Sequence, residues 1–418
     1  MGVDRIRGLV AAGAAFGVVL AIGGCSQSAD QPTPSGSGPT PQYAQELAST
    51  IPDLMKANAI PGAVVLVKSP QDGDWSAAYG TRSIDSDEPM QLDDHFRIGS
   101  NTKTMTVTVI LQLVQEGKLA LDDPISKYVK GVPNGDGITI AQLAEMRSGL
   151  FSYTFDRKFN RTVDDDPQKV WTPRELLRFA FRHEPNSAPG KEFDYCNTNL
   201  VLLGMVVEKL TGQSASAAFA ERLFAPLGLT QTLLPEPPDS GIADPHPQGY
   251  QFGTNVQTLD TYAVPAADQA AALDGSLKPL DYTDNNPSWA WTAGGAISDV
   301  AELATYVQQM VGGELLDEQL RQERLDSIQP TAPGSPVGYG LGLVEFSPDV
   351  YGHDGQLPGF STFMSYNPES DSTIVIGTNL SASPVNGENA AVILAKAVLA
   401  DVYGITPPPD PAGASPTG

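Results

Sequence analysis

The stretch Phe96-Arg97-Ile98-Gly99-Ser100-Asn101-Thr102-Lys103-Thr104-Met105 decides how this chain is read. It holds the sole S-x-x-K of the sequence and opens an apolar run from Met105 to Val114. A run that apolar is too hydrophobic for a surface helix, so the spacing predicts a buried helix that starts at Ser100. Residues three apart on a helix share a face. Ser100 and Lys103 are therefore neighbours without help from any distant segment.

A serine hydroxyl is a weak nucleophile and needs a base within hydrogen-bond reach. A lysine taken out of water can lose its proton near neutral pH and become that base. A helix N-terminus adds backbone N–H groups and a positive dipole end that favour a developing oxyanion. Ser100 is the candidate nucleophile and Lys103 its partner amine. The plainer role for the same two residues is a helix cap and a solvated cation.

Further along the chain are two more short patterns. Tyr195-Cys196-Asn197 lies 95 residues after Ser100, directly before the apolar run Thr198 to Leu210. Tyr195 suits a proton relay beside a cation, and Asn197 can donate to a carbonyl and accept from an amide. His353-Asp354-Gly355 follows 158 residues later in a strand-like segment. Residues two apart in a strand share a face. That places His353 in the wall of a site, has Gly355 let a substrate backbone approach, and turns Asp354 to the other face.

S-x-x-K, Y-x-N and H-x-G in this order resemble the serine β-lactamase and penicillin-binding protein superfamily, on the branch of class C β-lactamases and D-alanyl-D-alanine carboxypeptidases. The likeness runs from about Pro61 to about Ser381. It includes Leu113-Val-Gln-Glu-Gly-Lys-Leu-Ala-Leu-Asp-Asp123, Arg147-Ser-Gly-Leu150, Leu223-Phe-Ala-Pro-Leu-Gly228 and Gly338-Tyr-Gly-Leu-Gly342. The resemblance implies an α+β fold of the β-lactamase/transpeptidase-like type. An antiparallel sheet is flanked by helices, a largely helical subdomain is inserted at about 123–290, and the site lies at their junction. It implies acylation of Ser100, with Lys103 and Tyr195 moving protons. Asn197, His353, Gly355 and Gln356 contact substrate, and an oxyanion hole is formed by the N–H groups of Ser100 and Gln356. The implied activity is that of a D-alanyl-D-alanine carboxypeptidase/β-lactamase-like amidohydrolase on a small-molecule or cell-wall peptide substrate. The alternatives are an esterase of the same fold and a penicillin-binding envelope protein with little turnover.

Two positions depart from the family pattern. Cys196 stands between Tyr195 and Asn197, where relatives often carry Ser or Ala, and reads as an inert buried thiol. After H-x-G, peptidase-type relatives bind the substrate carboxylate with Thr or Ser and a nearby Arg. Here the residue is Gln356, and no Lys or Arg occurs between Arg324 and Lys396.

The N-terminal residues read as an export signal, residues 1–24: Arg5 and Arg7, an apolar Leu9–Ile22, then Gly23-Gly24-Cys25. The ending resembles a bacterial lipobox, so Cys25 is the expected lipidation site. The protein is then expected outside the cytoplasm, anchored to the cell membrane. Residues 25–41 form a Ser/Pro/Gly tether, 42–404 the hydrolase domain, and 405–418 a Pro-rich tail.

A formal charge of −24 argues against nucleic acid as a partner, since phosphate contacts need Lys and Arg. No H-E-x-x-H or paired-Cys pattern appears, and neither a metal nor another cofactor is expected. No G-x-S-x-G occurs, which excludes the nucleophile elbow of α/β-hydrolases. Gly338–Leu343 is read as strand, and Trp289 and Trp291 fit the wall of the site but fit core packing better. Phe151 and Tyr153 fit either core or site. The Pro- and Gly-rich residues 234–288 are read as a long insertion lying over the site.

Overall fold

Gly62–Lys68 (β1, GAVVLVK) is an almost unbroken apolar run, and a strand of that composition needs cover on both faces. It pairs antiparallel with Trp75–Gly80 (β2). The rest of the sheet comes from the C-terminal third of the chain: Gln329–Pro330 (β3), Gly338–Tyr339 (β4), Val344–Ser347 (β5), Val350–Leu357 (β6), Phe360–Asn367 (β7) and Ser372–Thr378 (β8). The order across the sheet is β2-β1-β8-β7-β6-β5-β4-β3, with every pair antiparallel. β8 (STIVIGT) sits inside this order and is buried at every residue.

The computed structural model describes residues 40–405. The signal segment, Cys25, nearly all of the tether and the tail beyond Ile405 lie outside the described residues. Among the described residues no helix is long and apolar enough to cross a membrane.

Helices cover both faces of the sheet. Gln42–Ala57 (α1) runs ahead of the first strand. Asn101–Gln115 (α2) carries the S-x-x-K segment, and Arg157–Asp165 (α3) and Asn197–Thr211 (α4) lie in the long central part. Val300–Gly312 (α5) and Ala390–Tyr403 (α6) complete the two layers. α1 packs on α6, and α6 lies on β7 and β8. α2 and α5 hold the opposite face, joined by a 3.0 Å hydrogen bond between Thr104 and the Tyr306 hydroxyl. The residues from about 123 to 290 pack with the sheet in one compact unit.

α2 is buried at every residue from Asn101 to Leu111, as its composition predicts. Its threonines are satisfied inside the core. Thr104 and Thr108 donate back along the helix, and Thr106 donates to the Thr292 carbonyl at 2.6 Å. Arg324, the last cation before the Lys/Arg-free stretch, is wholly buried. It donates to Thr108 and to the carbonyls of Leu341 and Gly342. Burial lowers its pKa to about 10, which leaves it charged at neutral pH. The expected strand over Gly338–Leu343 is shorter, ending at Tyr339. Gly342 there takes a left-handed φ of 62°, and a Cβ on it would lie 2.6 Å from Val107 of α2.

Candidate active site

Phe96 and Arg97 pair antiparallel with Ser298 and Ile297, and the Ile98 N–H donates to the Ala296 carbonyl at 2.9 Å. The Ile98 carbonyl accepts from Thr362 of β7 at 2.8 Å, which fixes the start of α2 against the sheet. Gly99 then turns the chain at φ 53°. A Cβ there would lie 2.5 Å from the backbone nitrogen of Gln356, so Gly99 is what lets the nucleophile segment approach β6 this closely.

Ser100 stands at the N-cap of α2, yet its side chain caps nothing. Lys103 donates from Nζ to Ser100 Oγ at 2.8 Å and to the Ala293 carbonyl at 2.7 Å. Lys103 is completely buried. Burial holds its pKa down at about 7, against smaller upward pulls from Asp354 and Cys196. Burial thus favours the neutral amine, the form that can take a proton from Ser100.

Tyr195 and Asn197 are delivered by the segment that opens α4. The Ser-Gly-Leu turn braces it: Ser148 donates to Asn199 at 2.6 Å, and Thr198 donates to the Phe151 carbonyl at 2.8 Å. The Tyr195 ring lies 4.9 Å from Lys103 Nζ. Asn197 is the first residue of α4, and its Nδ2 donates to Thr154 at 3.1 Å. Cys196 between them faces the core, where its thiol donates to the Leu150 carbonyl and burial pushes its pKa up to about 12.

Ser100, Tyr195, Asn197 and Gln356 line one cavity of ≈ 960 Å³, counted out to its open mouth. His353 does not line it, contrary to the sequence expectation. It is fully buried behind Lys103 and Tyr195. Its Nδ1 lies 2.6 Å from the Asp354 carbonyl and its Nε2 lies 3.2 Å from the Tyr339 hydroxyl. A carbonyl only accepts, so Nδ1 carries the proton and Nε2 accepts from Tyr339. Burial, with Lys103 nearby, lowers the His353 pKa to about 3. The imidazole is neutral and supplies no cation to a substrate.

Gly355 also differs from its expected use. A Cβ there would meet the Ile98 carbonyl oxygen at 2.0 Å and Thr362 Oγ1 at 2.7 Å. The missing side chain makes room for the Ser100 segment, not for a ligand. Asp354, expected to face away from the site, is the H-x-G residue that lines the cavity beside Gln356, and its carboxylate accepts from Asn389 Nδ2 at the start of α6 at 3.2 Å.

Sequence reasoning left Trp289 and Tyr153 open between core and site, and it missed Phe159, Leu259 and Tyr262. Trp289 lines the cavity, and so does Tyr153, whose hydroxyl donates to the Trp289 carbonyl at 2.6 Å. Phe159 of α3 packs edge-on against both rings, at 5.2 and 6.0 Å. Trp291 is core as read, and Phe151 stacks on His183 at 3.9 Å. The insertion contributes Leu259 and Tyr262. Among the described lining residues there is no Lys, Arg or His. Nor do the described residues bring together three side chains able to hold a metal.

A serine and a buried amine in contact at a helix start, at the floor of a cavity beside an antiparallel sheet, define a hydrolase of the β-lactamase fold. The chain belongs to the beta-lactamase family, whose model matches residues 47–398. It is similar to the D-stereospecific amidohydrolase from Streptomyces sp., with 30% identity, a TM-score of 0.72, and coverage of 88% of this chain and all of that one. It is also similar to the D-amino acid amidase from Ochrobactrum anthropi SV3 in its complex with L-phenylalanine. That match has 26% identity, a TM-score of 0.72, and covers 86% of this chain and 99% of the other. A further similarity is to protein flp of Staphylococcus aureus (strain MRSA252), 26% identical over 341 residues. That match spans 80% of this chain and only 62% of the length of its relative.

Proposed function

We propose that this protein is a serine amidohydrolase that acylates at Ser100 and acts on amides or esters that have D-configured acyl groups and no free carboxylate. The observation that carries the acyl-transfer reading is the 2.8 Å contact between Lys103 Nζ and Ser100 Oγ. In the proposed cycle, Ser100 Oγ attacks the substrate carbonyl carbon as its proton passes to neutral Lys103. The oxyanion is held by the N–H groups of Ser100 and Gln356. Lys103 and Tyr195 return the proton to the departing amine or alcohol. Water then attacks the acyl carbon and passes a proton to Lys103 or Tyr195; the bond from the acyl carbon to Ser100 Oγ breaks, the acid leaves, and Oγ takes the proton back. Asn197 orients the substrate amide.

The preference for substrates without a free carboxylate is supported by the cavity lining, which among the described residues has no cation to pair with one. A carboxypeptidase or β-lactamase needs such an anchor, so the amide or ester reading is favoured over both. The D-configuration is supported by the similarity to the D-stereospecific amidohydrolase and the D-amino acid amidase. Export, lipidation at Cys25 and membrane attachment are part of the proposal and rest on the N-terminal sequence alone.

The test is a hydrolysis panel: D- and L-phenylalanine amide, short-chain p-nitrophenyl esters, nitrocefin and a D-Ala-D-Ala peptide. Mass spectrometry with a fluorophosphonate and with a penicillin accompanies it. Turnover of the D-amide above the L-amide, with an adduct on Ser100, is the expected result. Absence of any Ser100 adduct sinks the acyl-transfer reading. A lasting penicillin adduct without turnover favours the binding protein instead.

A further inference from the structure

Two segments that the acyl-transfer steps do not use contribute to the cavity lining. One is α3, which presents Phe159 and Val163. The other is a strap, residues 251–262, from the long insertion. Its flanks are tied to the sheet side of the molecule. The Tyr250 N–H donates to the carbonyls of Gly359 and Asn379, and the Val264 N–H donates to that of Pro384.

Two side chains of α3 reach the strap: Arg157 pairs loosely with Asp260 at 3.6 Å, both largely exposed, and Asp164 makes the direct hydrogen bonds. Asp164 Oδ1 accepts from the Asn255 backbone N–H at 2.9 Å and from Asn255 Nδ2 at 2.7 Å. Its Oδ2 accepts from the Val256 N–H at 3.0 Å. With both oxygens of a carboxylate engaged, the direction of approach is fixed as well as the distance. Beyond that latch the strap is a tight turn. The Thr254 carbonyl accepts from both the N–H and the hydroxyl of Thr258, and the Tyr262 N–H donates to the Thr258 carbonyl at 2.7 Å. Tyr262 sits at φ 55°, a conformation an aromatic residue seldom adopts unless its surroundings impose it. The turn holds Leu259 and Tyr262 towards the cavity, opposite Phe159, Val163 and Trp289.

We infer that Asp164 is a positioning residue that sets the size of the acyl-side-chain pocket, by latching the strap to α3 around a bulky, uncharged aromatic or branched aliphatic group. The inference rests on the acyl-transfer reading above. Asp164 is absent from the cavity lining and acts through the strap.

The test compares the parent chain with Asp164→Ala and Asp164→Asn on p-nitrophenyl acetate and p-nitrophenyl phenylacetate. The esters share a leaving group and differ in acyl size. In Asp164→Ala the ratio of kcat/KM for the bulky ester to that for the small one should fall about tenfold, the scale of a badly filled apolar pocket. The fall should come through KM for the bulky ester. Asp164→Asn keeps one acceptor oxygen and should lose less. Hydrogen exchange at the Asn255 and Val256 amides should quicken in both. An unchanged ratio, equal loss on both esters, or unaltered exchange overturns the inference. A parent chain that turns over neither ester and takes no fluorophosphonate overturns the acyl-transfer reading instead. Phenylacetamide binding, followed by protein fluorescence, then replaces turnover. A tenfold weakening in Asp164→Ala upholds the latch, and equal affinity sinks it.

Discussion

A Cβ placed on Gly99 would lie 2.5 Å from the backbone nitrogen of Gln356. The nucleophile segment and β6 are thus held as close as two backbones can be. Gly99→Ala should be costly in two ways. Its left-handed φ of 53° would strain an alanine by about 1–3 kcal/mol. The new methyl would also push Gln356 N–H away from the proposed oxyanion. Loss of one oxyanion donor lowers kcat by roughly 10²–10³. Ester hydrolysis by the variant should fall by that much in a protein that still melts cooperatively. Turnover like the parent's would remove Gln356 N–H from the oxyanion hole.

Lys103 makes a pH prediction with a definite sign. Its folded pKa is depressed to about 7 by burial, and only the neutral amine can accept the Ser100 proton. Acylation should therefore climb about tenfold per pH unit below pH 7 and level off above it. Lys103→Ala should abolish acylation and keep the fold. The same depression makes the unfolded chain bind one more proton between pH 7 and the ordinary lysine value. This contribution to stability is present above that ordinary value and is lost as pH falls towards 7. A Lys103→Met variant should lack that slope in denaturant titrations. A pH–rate profile that is flat from pH 5 to 8 would refute the role given to Lys103.

His353 should stay neutral where an ordinary histidine titrates. Burial and Lys103 depress its pKa to about 3, below the unfolded value near 6.5. The unfolded chain takes up a proton first, so the His353 contribution to stability is present above pH 6.5. It is lost as pH falls from there towards 3. NMR of the imidazole should show the Nδ1-protonated neutral ring at pH 5, donating to the Asp354 carbonyl. A ring that titrates between pH 6 and 7 would contradict this assignment.

These residues also show what the sequence could reveal. Ser100 and Lys103 were legible because a helix brings positions three apart together by local geometry. Tyr195 and Asn197 were legible through the ordered motifs of the family resemblance, which put them where the buried helix α4 opens. H-x-G was legible as strand, and its alternation was right, but alternation does not say which face meets the cavity. His353 faces Lys103 and is sealed by Tyr339, a contact made across strands. Phe159, Leu259 and Tyr262 carried no signal of their own. They meet because Asp164 joins α3 to a strap about 90 residues away, and no local pattern records such a contact.

The absence of a cation in the cavity lining leads to a prediction about substrates. Peptide relatives of the family pair the terminal carboxylate with charge near the position occupied here by Gln356. The parent chain has a neutral side chain there, and His353 behind it is uncharged. A D-Ala-D-Ala peptide with a free carboxylate should thus be a poorer substrate than the same peptide carrying a C-terminal amide. Gln356→Arg should shift the balance, because a hydrogen bond to a charged group contributes about 1.5–3 kcal/mol against about 1 for a neutral one. The ratio of kcat/KM, free acid over amide, should rise about tenfold or more, and added salt should reduce the gain. The backbone N–H of residue 356 is kept, so the esters should still acylate Ser100. If the parent chain already prefers the free acid, a carboxylate anchor exists elsewhere in the cavity and the reading that excludes free carboxylates fails. If Gln356→Arg leaves the ratio unchanged, the substrate's terminus does not reach β6.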